Sequence, residues 1–432
     1  MKRNLRPARL LSVISAMLVV WLLTMAVGST VALAEGKSSV TYPENSLGLT
    51  LQSAMLIDAD TGQVLYQVNQ DQPRPPASMT KMMTEFIVLE EIAAGRLKWD
   101  GIVTTSEAAA STPKDGSQIY LAEGDKHTVK DLYIAMAVGS ANDATIALAD
   151  HIGGNEQGFV DKMNETAKTL GLNSAHFTGA TGLDETTLIS AADMAKFAAI
   201  ILKKHPEFLD YSKLPSYKFR ERDDNPMINY NWMLETNKDT KALKQYAYPG
   251  VDGMKTGYIG AAGYCFTGTA ERDGIRLIAV VMGAKSKGSR FLEAAKMFDY
   301  GFNNFERKTV VAPKTTLDNA KTATIKKGVS TEVPVVTATD ITFLVKKGVE
   351  PKIEQTKLSL MTEDELVAPI KNGQKVGAVT YSYTDADTGK AIEKTVDLIS
   401  TEEVEKGSWW RLLFRAIGDF FVGLFNGIVG LF

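Results

Sequence analysis

The chain has 432 residues, of which 44% are hydrophobic, and a formal net charge of −3. That balance, with no basic block beyond the first few residues, excludes a nucleic-acid partner, and the length provides for more than one globular unit. The single cysteine, Cys265, excludes an internal disulfide, so burial of a large core must stabilise the chain instead.

The N-terminus opens with Lys2, Arg3, Arg6 and Arg9, followed by an apolar run from Leu10 to Val27 and the small-residue pattern Ala32-Leu33-Ala34 before Glu35. This order predicts an export signal over 1–34, cleaved after Ala34. The apolar run is long, and an uncleaved anchor is the alternative, because its length approaches that of a spanning helix.

Next comes the punctuation Pro73-Arg74-Pro75-Pro76, after which Met79, Met82, Met83, Phe86, Leu89 and Ile92 follow helical spacing. The spacing predicts a largely buried helix with Ser78 in its first turn. Ser78 and Lys81, three residues apart, then share a helix face within hydrogen-bonding reach. A serine hydroxyl needs a base to take its proton. A lysine serves as that base only if desolvation or a nearby positive charge strips its own proton near neutral pH. The apolar helix supplies the first condition and Lys255 could supply the second. Ser111-Thr112-Pro113-Lys114 repeats the spacing, but Pro113 and the following Asp115-Gly116 mark a loop.

Ser140-Ala141-Asn142 falls between two apolar helical runs, Val129 to Val138 and Asp143 to Ile152, and reads as a tight turn carrying a hydroxyl and an amide. Lys255-Thr256-Gly257 precedes an apolar stretch of strand character, Ala261 to Ala270. Gly257 would let a substrate backbone approach a strand edge, and Lys255 with Thr256 would address an anionic group. Each motif also has a purely structural reading: a helix cap, an ordinary turn, a hairpin start with a solvated lysine. Tyr264-Cys265-Phe266 reads as a buried strand with an inert thiol. His127, His151, His176 and His205 show no spacing suited to a shared metal, and none is expected.

After a helix ending near Phe305, alternating runs such as Thr322 to Ile325, Thr342 to Val345 and Lys375 to Tyr381 predict a small all-β module, serving as a stalk or for stability alone. Asp58-Ala59-Asp60-Thr61-Gly62 recurs as Asp385-Ala386-Asp387-Thr388-Gly389. Neither copy has the glycine and glutamate a calcium loop needs at its sixth and twelfth positions, so both read as hairpin turns. From Ser408 to Phe432 a wide apolar face, led by Trp409 and Trp410, opposes a narrow polar stripe holding Arg411, Arg415 and Asp419. This pattern predicts a helix lying in a membrane interface, the alternative being a helix docked on the protein's own core.

The three motifs stand in the order of the signature set of class A β-lactamases and penicillin-binding proteins. With Gly116-Ser117-Gln118-Ile119-Tyr120-Leu121, His176-Phe177-Thr178-Gly179-Ala180-Thr181-Gly182-Leu183 and Met282-Gly283-Ala284, the chain resembles a serine-type D-alanyl-D-alanine carboxypeptidase. The resemblance is to the low-molecular-mass penicillin-binding proteins of Gram-positive type. The resemblance implies an α/β fold, with a β-lactamase/penicillin-binding transpeptidase-like catalytic domain over 35–307: an antiparallel sheet flanked by helices, plus a helical subdomain. An all-β domain over 308–402 and an amphipathic anchor over 403–432 would follow.

By the same resemblance Ser78 is the acylated nucleophile, Lys81 the proton acceptor and Ser140 a proton shuttle. Asn142, Lys255, Thr256, Gly257 and Arg290 would bind substrate, with Arg290 receiving the terminal carboxylate. The implied substrate is a peptidoglycan stem peptide ending in D-Ala-D-Ala, the implied inhibitors are β-lactams, and no cofactor is required. The implied location is the outer face of the cell membrane. A β-lactamase would need a glutamate-held water, and Glu156, Glu165, Glu185 and Glu207 show no such motif. A transpeptidase and a catalytically silent wall-binding protein also compete with this reading. The first typically carries a large extra N-terminal domain, and the second has no use for Ser78, Lys81, Ser140 and Lys255 together.

Overall fold

The computed structural model describes residues 45–429; the predicted export segment at 1–34 lies outside them. Ile275–Ala284 reads IRLIAVVMGA and is buried almost throughout. A strand this apolar on both faces has no side for water and belongs in the middle of a covered sheet. Five strands form that sheet: β1 (Ser53–Asp58), β2 (Val64–Val68), β3 (Val251–Ile259), β4 (Gly263–Arg272) and β5 (Ile275–Ala284). All their pairings are antiparallel, in the order β2-β1-β5-β4-β3. Because side chains alternate along a strand, Ile278, Val280 and Met282 of β5 enter one core while Leu277, Ala279 and Val281 enter another.

The chain between β2 and β3 supplies the first core. It contains α1 (Lys81–Ala93), α2 (Val129–Gly139), α3 (Asn142–Gly153), α4 (Glu156–Thr169) and α5 (Ala191–Lys204). Residues 81–89 of α1 are all buried, so this is an interior helix rather than an amphipathic surface one. The second core is closed by α6 (Ser289–Asn304), whose Phe291 and Phe298 pack under β4 and β5.

The expected start of α1 is corrected by three residues. Ser78 lies in a separate 3₁₀ turn, Ala77–Thr80, and the α-helix begins at Lys81. Pro76 fixes the entry to the turn, and Ala77 follows at φ +51°, so the chain winds tightly before it relaxes into α geometry. The second serine–lysine match is indeed loop: a short helix, Glu107–Ala110, ends at Ser111.

A second body of strands follows α6 without a break. β6 (Phe305–Val311) pairs with β9 (Ile341–Lys346). β7 (Thr322–Thr324), β8 (Glu332–Thr337), β10 (Lys352–Leu360), β11 (Lys375–Thr384) and β12 (Ala391–Ser400) form a sheet ordered β7-β8-β12-β11-β10. Phe343, Val335, Tyr383 and Leu398 centre its own core.

The two Asp-Ala-Asp-Thr-Gly turns do connect strands, β1 to β2 and β11 to β12, and they meet at the seam between the bodies. Gln63 Nε2 donates to Asp385 Oδ2 at 2.6 Å, Lys394 Nζ to Asp60 Oδ2 at 3.0 Å, and Arg307 reaches both Asp58 and Asp60.

The terminal helix, α7 (Trp409–Val429), leaves Trp409, Trp410, Phe414, Phe420, Phe421 and Phe425 exposed, Phe414 at 67%. That exposure excludes docking of the aromatic face on the protein's own core. Arg411 and Arg415 instead tie its start to the carbonyls of Gly328 and Val329. Among the described residues no helix is long and apolar enough to cross a membrane.

Candidate active site

The sheet edge, the 3₁₀ turn and the α2–α3 turn converge on a cavity of about 590 Å³. Ser78, Ser140, Asn142, Thr256, Gly257 and Arg290 all line it, with Asp115, Tyr230, Tyr258 and Lys287 among the surrounding wall. Lys81 and Lys255 are not lining residues; both are buried, at 0% and 3% exposure.

Two glycines let the turn that carries Ser78 seat so closely. A Cβ on Gly257 of β3 would lie 2.5 Å from the carbonyl oxygen of Pro76 and 3.1 Å from the Ser78 amide nitrogen. From another side Gly182, at φ +77°, would place a Cβ 2.0 Å from the Ala77 carbonyl oxygen. The sequence predicts that Gly257 admits a substrate backbone; in the structure it first admits the turn that carries Ser78.

Lys81 Nζ has three partners: Asn142 Oδ1 at 2.6 Å, the Thr181 carbonyl at 2.8 Å and Ser78 Oγ at 3.2 Å. The first two can only accept. A neutral amine has two N–H donors and one lone pair. With the amine neutral, donation to Asn142 and Thr181 would turn its lone pair toward the one partner able to give a proton, the Ser78 hydroxyl. Burial, and then the charge of Lys255, hold the Lys81 ammonium well below the ordinary lysine range.

Ser140 terminates α2 in the left-handed region at φ +55°, and its buried Oγ has no hydrogen-bond partner among the described residues. An unsatisfied buried hydroxyl on a strained residue, facing a cavity, marks a group kept for a ligand rather than for stability. Asn142 is held by its backbone amide, which donates to the Ser117 carbonyl at 2.7 Å. Gly116 is needed opposite it, since a Cβ there would meet Asn142 Nδ2 at 2.7 Å.

Arg290, in the first turn of α6, is buried rather than on the helix surface. It donates to the Gly257 carbonyl at 3.1 Å and the Cys265 carbonyl at 3.3 Å, and burial lowers it to about 10. Cys265 is a fully buried thiol pushed up to about 11 by desolvation, which leaves it inert. Among the described residues no group of three or more His, Cys, Asp or Glu could hold a metal ion. Glu156, Glu165, Glu185 and Glu207 do not line the cavity.

Two acidic residues of the site were not found from sequence. Asp143 accepts the backbone N–H groups of Ile119, Leu121 and Ala144 at 2.9–3.1 Å, so it fixes both the start of α3 and the 116–121 segment. Its position directly after the Ser-Ala-Asn turn was the available signal. Glu85 lies one helical turn beyond Lys81, at 0% exposure, with the Tyr133 hydroxyl of α2 beside it, and burial pushes its carboxyl up to about 8. Nothing in the sequence pattern distinguishes it from the solvated glutamates of other helices.

A serine hydroxyl within 3.2 Å of a buried lysine amine, set between a sheet edge and a helical subdomain, is the arrangement of a serine acyl-transfer enzyme. Residues 40–286 match the profile of the D-alanyl-D-alanine carboxypeptidase family, and residues 305–406 match that of the penicillin-binding protein 5 C-terminal domain. The chain belongs to the D-alanyl-D-alanine carboxypeptidase family. It is 35% identical over 412 residues to the D-alanyl-D-alanine carboxypeptidase DacF of Bacillus subtilis, covering 95% of this chain and 98% of that one. It is 32% identical over 381 residues to DacC of Escherichia coli, covering 86% and 88%. Among solved structures, PBP3 of Streptococcus pneumoniae, described as a peptidoglycan synthesis regulatory factor, superposes with a TM-score of 0.72 at 28% identity, over 83% of this chain and 100% of that one. Penicillin-binding protein 5 of Haemophilus influenzae does so with a TM-score of 0.64 at 31% identity, over 85% and 99%.

Proposed function

We propose that this enzyme removes the terminal D-alanine from peptidoglycan stem peptides ending in D-alanyl-D-alanine, and that Ser78 is the residue acylated on the way. The observation that carries the reading is the hydrogen-bond set of Lys81, which leaves its lone pair for the Ser78 proton. Ser78 Oγ attacks the carbonyl between the two D-alanines as Lys81 takes its proton. The Ser78 backbone N–H and an N–H of β3 after Lys255 hold the resulting oxyanion. The C–N bond then breaks, Ser140 relays a proton to the departing amine, and free D-alanine leaves. Water attacks the acyl-enzyme with the same base, releasing the shortened stem and restoring Ser78. Asn142 orients the substrate amide, while Lys255, Thr256 and Arg290 meet the terminal carboxylate. Trimming the stem removes the bond that a cross-linking enzyme would use, so the product limits cross-linking. A β-lactam carries a strained amide and a carboxylate in the same relation and acylates Ser78 in place of the peptide.

The location forms part of the proposal. The predicted export signal would deliver the chain to the outer face of the cell membrane. The exposed aromatic face of α7, with two arginines at its start, suits the lipid interface.

The test is direct. Fluorescent penicillin should label the purified protein covalently, and mass spectrometry should place the label on the peptide containing Ser78. The enzyme should also release D-alanine from diacetyl-L-lysyl-D-alanyl-D-alanine, and Ser78→Ala should abolish both activities. Label retained in Ser78→Ala would sink the nucleophile assignment, and label lost within seconds from the wild type would mark a β-lactamase instead.

A further inference from the structure

The start of α6 gathers positive charge that no neighbouring side chain offsets. A helix N-terminus carries a partial positive charge and ordinarily attracts acidic residues. The first turn of α6 holds none, and Lys287 and Arg290 stand there instead. Arg290 is walled in at 3% exposure: its Nη1 donates to the Gly257 and Cys265 carbonyls, and its Nε has no partner among the described residues. Lys287 lines the same cavity with its side chain reachable from solvent, and no carboxylate among the described residues pairs with it. Asp115, the acidic residue of the cavity wall, adjoins Gly116 on the Asn142 side.

Lys287 is held in position by two segments distant in sequence. Ser286 and Ser289 bracket it, the Ser286 amide donating to Ser289 Oγ at 2.8 Å and the Ser289 amide to Ser286 Oγ at 3.0 Å. Gly288 permits the close seat of this turn, since a Cβ there would lie 2.4 Å from the Tyr246 hydroxyl. The ammonium then rests over two aromatic faces, 4.9 Å from the ring centre of Trp232 and 5.3 Å from that of Tyr230. Trp232 is packed in turn against Tyr246 and Phe291, at 5.1 and 5.6 Å between ring centres. Asn231, between the two platform residues, donates to the Gly253 carbonyl of β3 at 3.1 Å, which ties the platform to the sheet edge. Aromatic faces orient a cation without neutralising it, so the charge stays available to an anion. Burial, and then the charge of Arg290, push the Lys287 ammonium down from the ordinary lysine range, and an anion between the two cations would relieve both.

Gly257, whose carbonyl Arg290 takes, follows Thr256 along the cavity, so these cations stand at the end given above to the terminal carboxylate. We propose that Lys287 is a specificity-determining residue: its ammonium, held on the Tyr230–Trp232 platform, pairs with the free terminal carboxylate and so selects chains that end there over chains that continue or end in an amide. This rests on the catalytic reading given above and adds the group that makes the enzyme act at a chain end.

The test compares two ligands that differ only at that end, diacetyl-L-lysyl-D-alanyl-D-alanine and the same peptide closed as a C-terminal carboxamide. Their dissociation constants are measured by NMR titration of the Ser78→Ala enzyme, which binds without turnover, with Lys287 intact, as Lys287→Gln and as Lys287→Arg, thermal unfolding confirming the fold of each. With Lys287 intact the carboxylate peptide should bind more tightly than the carboxamide. Lys287→Gln should shrink that preference by about 10- to 100-fold, the usual worth of one hydrogen bond to a charged group, and Lys287→Arg should restore most of it. A preference undiminished in Lys287→Gln, an equal weakening of both peptides, or no preference with Lys287 intact would each overturn the proposal. Because the titration involves no acylation, failure of penicillin to label Ser78 in the wild type would defeat the catalytic reading alone.

Discussion

Gly182 and Gly257 press on the same turn from two directions, and the position of Ser78 Oγ depends on both. Gly182→Ala adds a Cβ to a left-handed residue and aims it at the Ala77 carbonyl. The backbone penalty alone is about 1–2 kcal/mol, but the larger effect is displacement of the nucleophile, for which 1 Å is worth about 100-fold in rate. Penicillin labelling should therefore slow about 100-fold. Gly348→Ala is the control, since Gly348 has φ +74° with nothing within 4 Å of a Cβ. It should label at the wild-type rate, and equal losses in the two variants would refute the steric explanation. The legible residues here were those whose chemistry needs fixed spacing, Ser78 with Lys81 and Ser140 with Asn142. Gly182 was visible only within a matched segment, and the buried Glu85 not at all, because its burial comes from the elements packed around α1 rather than from its own spacing.

Among the elements, the α2–α3 turn does two jobs that its three-residue motif does not advertise. It puts Ser140 into a left-handed conformation at the cavity, and through Asp143 it ties down the 116–121 segment, whose Gly116 and Ser117 line the cavity. Asp143→Ala would leave the buried amides of Ile119 and Leu121 without their acceptor. Hydrogen bonds to a charged group contribute about 1.5–3 kcal/mol each, so a loss of about 3–6 kcal/mol is expected for the two, read as a lower urea midpoint with an unchanged slope. An unchanged midpoint would show that the segment is held by other contacts. Helices were readable from periodicity, and the turn between α2 and α3 from its polar residues. The start of α1 was not, since the 3₁₀ turn depends on the backbone angle at Ala77, which sequence spacing does not encode.

The described residues form three apolar cores, two against the faces of the catalytic sheet and one inside the β module, with α7 projecting beyond. Because α7 touches the rest through its first two turns and contributes nothing to the cavity, removal of Trp409–Phe432 should release an enzyme of unchanged D-alanine-releasing activity. Flotation with anionic lipid vesicles should recover the intact chain but not the truncated one. Flotation of the truncated chain would shift the anchoring to the N-terminal segment. The order of the modules was legible because each has its own hydrophobic period, whereas the seam between them was hidden, its partners lying more than three hundred residues apart.

That seam fixes a length. β11 and β12, ten residues each, run between the Asp385–Gly389 turn at the catalytic body and the opposite end of the module, where Ile370 pairs with Val404 just before α7. At about 3.3 Å per residue the two strands span roughly 33 Å. On the proposed seating of α7 in lipid, that span would set the catalytic body about 3 nm above the surface, so that stem peptides in that layer of wall would be within its reach.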